Sequence, residues 1–93
     1  MITEKEKALE RKLVKETKDR GGWCLKLLSQ FVNGLPDRLL LLPGGQILFV
    51  EVKTTGEKPR RIQEVMHKRL RDLGFEVYVV DSSEKIKALF NDR

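Results

Sequence analysis

The 93-residue sequence predicts an α/β fold of order α-β-β-β-α-β-α, a mixed central sheet flanked by helices. Three observations predict it. A capped amphipathic helix opens the chain. Two short apolar runs, Leu39–Leu42 and Ile47–Val52, are separated by Pro43-Gly44-Gly45 turn chemistry, which reads as a β-hairpin. A second amphipathic helix then lies between that hairpin and a further apolar strand, giving a β-α-β crossover with parallel strands.

The first helix runs from about Thr3 to Arg20. Thr3 stands at the cap with Glu6 three residues later, and Gly21-Gly22 ends it. Ile2, Leu9, Leu13 and Val14 form its apolar stripe. Glu6 and Glu10 fall in or beside that stripe, and a carboxylate aimed at the core side needs a partner. Trp23–Leu28 reads as the first strand, with Lys26 its one charge and Trp23 in the core or at a dimer contact. Ser29–Asn33 is a loop from which Gln30 and Asn33 reach toward a bound partner.

After the hairpin, Thr54–Pro59 is a polar connection, and Pro59 suits the first turn of a helix ending near Leu73 at Gly74. Ile62, Val65, Met66, Leu70 and Leu73 are its expected apolar face, with Gln63 flanking and Arg60 and His67 beside it. Lys58, Arg60 and Arg61 cluster at the helix start, where backbone N–H groups favour phosphate. Phe75–Val80 is the last strand. Asp81-Ser82-Ser83 caps a final helix whose Ile86, Leu89 and Phe90 face the core.

The length fits one domain spanning residues 1–93, with 40% hydrophobic and 35% charged residues. No run approaches the roughly 20 apolar residues of a membrane helix, and the N-terminus lacks the apolar stretch of a signal peptide. A single Cys24 excludes an internal disulfide and fits a reducing cytoplasm, the expected location. One histidine and one cysteine argue against zinc, and a Ser/His/Asp triad lacks its parts. The net charge of +5 favours an anionic partner.

The hairpin carries three charges that its apolar strands do not need. Asp37 opens the first strand; Glu51 and Lys53, two residues apart, leave one face of the second. The hairpin brings Asp37 beside Glu51, and a divalent cation relieves the repulsion of two adjacent carboxylates. On the residues alone, an ion pair between Glu51 and Lys53 at a strand end is the other reading.

Pro36-Asp37 followed by Glu51-Val52-Lys53 resembles the PD-(D/E)XK nuclease signature. Gly34-Leu35-Pro36-Asp37-Arg38, the Pro-Gly-Gly turn and Phe49-Val50-Glu51-Val52-Lys53 together resemble its stand-alone VRR-NUC branch, and with Gln63 and the element order the likeness covers nearly the whole chain. The resemblance implies a restriction-endonuclease-like fold and Mg²⁺-dependent hydrolysis of DNA phosphodiesters, with Mn²⁺ as substitute. It implies that Asp37, Glu51, the Val52 carbonyl and Glu10 hold metal, with Glu6 the alternative helix acid. Lys53 then positions or helps deprotonate the water and offsets charge, and Gln63 orients a water or a phosphate. Lys26, Lys58, Arg60 and Arg61 are the DNA-contact candidates. Small members resemble Holliday-junction resolvases, which implies a homodimer acting on four-way or other branched junctions. The rival classes are a non-catalytic nucleic-acid-binding protein that keeps the nuclease fold, and a small subunit of a larger complex. The intact Asp37, Glu51 and Lys53 stand against the first.

Overall fold

The computed structural model describes residues 3–28, 32–91 and 93; Ile2 and Gln30 lie outside the described residues. The elements are α1 (Glu4–Asp19), β1 (Trp23–Lys26), β2 (Arg38–Leu42), β3 (Gln46–Val52), α2 (Arg61–Asp72), β4 (Glu76–Val80) and α3 (Ser83–Ala88). The order α-β-β-β-α-β-α is the expected one. The strands lie in the order β1-β2-β3-β4, antiparallel through β3 and parallel between β3 and β4.

Local chemistry sets the boundaries. Thr3 accepts the Glu6 amide at 3.1 Å and caps α1. The hairpin turn Pro43-Gly44-Gly45 joins a pair formed by Leu42 and Gln46, with both glycines at positive φ. Ser82 caps α3 by accepting the Lys85 amide. Pro59 is not in the first turn of α2. Arg60 is the extended N-cap residue, so Pro59 stands just outside the helix.

Alternation along the strands divides the sheet into two unlike faces. On one, Leu40, Leu42, Leu48, Val50, Val52 and Val80 pack against Leu13 of α1 and against Ile86, Leu89 and Phe90. That is the apolar core, and the sequence reading of the final helix agrees with it. The other face carries α2 and is partly polar. Here the expected apolar face of α2 is corrected: Ile62, Val65 and Leu73 are exposed, while Gln63 and His67 are buried. The inward stripe is Gln63, Met66, His67 and Leu70, an i, i+3, i+4, i+7 set. The helix turns its polar side chains inward because a carboxylate, Glu51, waits beneath them. Trp23 is 64% exposed and so is not a core residue.

Gly34 brings the chain under α2, three residues before Asp37. Its φ is +87°, and an added Cβ would meet the Ile62 carbonyl oxygen at 2.7 Å. Gly34→Ala is therefore expected to lower stability by about 2 kcal/mol or more, from the disfavoured φ and the clash together; the midpoint of urea unfolding checks it.

Candidate active site

Asp37 precedes the first residue of β2, and Glu51 is the penultimate residue of β3. Arg38 pairs with Val50, so continuing the register one step sets Asp37 opposite Glu51 on the α2 face. The Val52 amide donates to Asp37 Oδ2 at 2.8 Å, fixing that oxygen against the end of β3. Glu51 is 2% exposed. Burial first, and then the Asp37 carboxylate beside it, push its carboxyl up to about 8; Lys53 and Arg60 act the other way.

Two residues of α2 reach Glu51. Gln63 donates through Nε2 to Glu51 Oε2 at 3.2 Å, while its Oε1 accepts the Arg60 backbone amide at 2.8 Å. Gln63 thus caps its own helix and holds the acid with one amide. His67, one turn later, places Nε2 at 3.5 Å from Glu51 Oε1. Among the described residues neither of those two atoms has a hydrogen-bond partner. Burial, with Arg71 and Lys53 nearby, holds the His67 imidazole below its usual value. His67 was not among the site residues read from the sequence; its i+4 spacing from Gln63 is the signal that points to it.

Lys53 follows the last residue of β3 rather than lying in the strand. Its amide continues the sheet by donating to the Val80 carbonyl at 2.9 Å. The side chain is half-buried, and its charge acts on both Glu51 and His67.

The structure brings Asp37, Glu51, Lys53, Gln63 and His67 together, and it gives Glu10 a different partner. Glu10 is buried on α1 with Oε1 3.6 Å from Arg38 Nε, and Arg38 faces the α1 side of the sheet. Glu6 accepts from the Thr54 hydroxyl at 2.9 Å, just beyond Lys53. Among the described residues no group of three or more His, Cys, Asp or Glu is arranged to hold a metal. The oxygens at hand are the Asp37 and Glu51 carboxylates and the Val52 carbonyl. They suit a hard cation that takes one or two carboxylates and fills its shell with phosphate and water.

The basic candidates divide. Lys58 and Arg61 line a groove of about 540 Å³ along α2, together with Lys68, Arg71 and the edge of His67. Arg60 is the N-cap residue whose charge acts on Glu51. Lys26 is exposed at the end of β1, paired in register with Arg38 and so on the α1 face. Asn33 is exposed in the loop before Gly34.

Comparison with known proteins bears on what such a site does. The chain is 45% identical over 80 residues to a protein of Acyrthosiphon pisum secondary endosymbiont phage 1 described as "Putative nuclease p44", covering 86% of each chain. A solved structure described as "VRR_NUC domain" superposes with a TM-score of 0.90 at 34% identity, over 97% of this chain and 98% of that one. No family model matches the chain.

The buried acid sets a pH dependence. Between about 4.5, the ordinary value, and about 8, the folded protein keeps a proton on Glu51 that the unfolded chain releases. Stability without metal therefore falls as pH rises through that window. His67 acts in the opposite sense, destabilising only as pH falls through 6.5. From pH 6.5 to 8 in chelator, the melting temperature should drop, and Glu51→Gln should flatten that drop; thermal melts read it directly.

Proposed function

The chain belongs to the VRR-NUC family of nucleases, and from that premise we propose that residues 1–93 form one nuclease domain, cytoplasmic, that cuts DNA phosphodiesters internally with Mg²⁺ or, in its place, Mn²⁺. The observation that carries the reading is the pair Asp37 and Glu51. A folded protein gains nothing in stability from a buried carboxyl pushed to about 8 beside a second carboxylate. It gains a place where one divalent cation satisfies both.

Asp37, Glu51 and the Val52 carbonyl would hold the cation; Glu10, the helix acid that the resemblance implies, pairs with Arg38 on the α1 side and would have to leave it to contribute. When bound, the cation polarises the phosphoryl oxygen and makes water a better nucleophile near neutral pH. Lys53 orients the attacking water and offsets the charge that builds on the phosphate in the transition state. Gln63 holds Glu51 through one N–H of its amide and keeps a second N–H with which to orient a water or a phosphate. Lys58 and Arg61, in the basic groove beside the site, take the DNA backbone, with Arg60 at their helix start and Lys26 a more distant contact.

The substrate is a branched duplex, cut as a four-way junction by a homodimer. Support for the dimer comes from the sheet. Trp23, Ile47 and Phe75 are exposed, and Phe75 packs edge-on against Phe49 at 5.7 Å, on the face where α2 leaves β1 and β2 uncovered. A two-fold pair would present two sites to a symmetric junction.

Asp37→Ala, Glu51→Gln and Lys53→Ala should each lower nicking of a labelled four-way junction by on the order of 10²–10³ or more while the circular dichroism spectrum stays native. Wild-type rates in Asp37→Ala would remove the assignment. Junctions should be cut in preference to linear duplex of the same sequence, and binding should weaken steeply with salt; equal cutting of both substrates would overturn the branched-DNA reading alone.

A further inference from the structure

Glu51 is approached from α2 at both of its oxygens, and the two approaches are unequal. Oε2 accepts the Gln63 amide. Oε1 faces His67 Nε2 at 3.5 Å, and among the described residues each of these buried atoms lacks any other partner. Leaving a buried donor and acceptor unpaired is costly, and a shift of a few tenths of an ångström would join them. The two α2 residues are four apart, so their side chains stack one turn over the other above a single carboxylate.

We propose that His67 is a positioning residue: its Nε2–H donates to Glu51 Oε1 in the metal-loaded protein and, with Gln63, fixes the carboxylate as a cation ligand. This rests on the nuclease reading above. A carboxylate that coordinates a cation is ionised, and hydrogen bonds from N–H to an ionised carboxylate shorten to roughly 2.7–2.9 Å. Each carboxylate oxygen has lone pairs for both a side-chain donor and a cation. His67 and Gln63 thus occupy the positions that face α2 and leave the remaining lone pairs turned toward Asp37. The helix, not a loop, then sets where the ligand points. His67 also lines the wall of the basic groove, so seating of the helix and seating of the acid are coupled through one side chain.

Partners of this kind around a metal ligand change affinity or activity by about 10- to 100-fold when removed. The test is binding of Mn²⁺ alone, without DNA, by calorimetry. His67→Leu should weaken binding about 10- to 100-fold, and His67→Gln, which keeps an amide donor near the Nε2 position, should recover most of it. In cleavage, His67→Leu should need more Mn²⁺ for half-maximal rate but approach the wild-type rate at saturation. Because His67 is the one histidine in the chain, a ¹⁵N-histidine spectrum reports on it alone in the wild-type protein. Added Mg²⁺ should move its Nε2 signal to that of a protonated, hydrogen-bonded nitrogen.

Unchanged Mn²⁺ affinity in His67→Leu, equal loss in His67→Leu and His67→Gln, or an Nε2 signal indifferent to saturating Mg²⁺ would each overturn the proposal. If His67→Leu does not fold, the His67→Gln titration and the wild-type spectrum decide it. Asp37→Ala separates the two readings. Weak Mn²⁺ binding there with normal binding in His67→Leu sinks the positioning role only, whereas normal binding in Asp37→Ala sinks the metal site itself.

Discussion

The structure depends on one uncomfortable placement, the Glu51 carboxyl buried beside Asp37 at the end of the central strands. Burial penalises its ionised form, and Asp37 adds repulsion. An apolar residue at that point would give a quieter protein. The surroundings are arranged around the acid instead. The Val52 amide ties down Asp37, Gln63 ties Glu51 to the start of α2, and His67 stands against its second oxygen. Stability and function pull in opposite directions here, and the strain is concentrated where chemistry is proposed.

The two faces of the sheet divide the labour. Leu13, Leu40, Leu48, Val50 and Ile86 are fully enclosed on the α1 and α3 face and supply the hydrophobic driving force of a small domain. That rigid face lets the other face carry polar groups. Because β3 is paired on both sides, with β2 and with β4, the backbone under Glu51 has little freedom to move. The parallel crossover then returns α2 directly over the strand that bears the acid. The position of Gln63 and His67 follows from topology as much as from sequence.

Much of this was legible in the residues. Turn chemistry at Pro43-Gly44-Gly45 gave the hairpin, and strand alternation put Glu51 and Lys53 on one face. The inner face of α2 was not legible, because reading a helix by its apolar residues assumes an apolar floor. Here the floor holds a carboxylate, so Gln63 and His67 turn inward and Ile62, Val65 and Leu73 turn out. Glu10 shows a related limit. Its place on the core side of α1 was foreseeable, but its pairing with Arg38 depends on which face of β2 the arginine takes. Of the two places the residues allow Trp23, the core or a dimer contact, its exposure removes the first, and nothing in a four-residue edge strand says which face lacks a covering helix.

The most direct test is a crystal of the wild-type protein grown with Mn²⁺ and measured at its anomalous edge. The account predicts an anomalous peak between Asp37 and Glu51, bonded directly to oxygens of both, as a hard divalent cation binds carboxylates. A map with Mn²⁺ bound only elsewhere, and Glu51 still enclosed against Gln63 and His67, would contradict it.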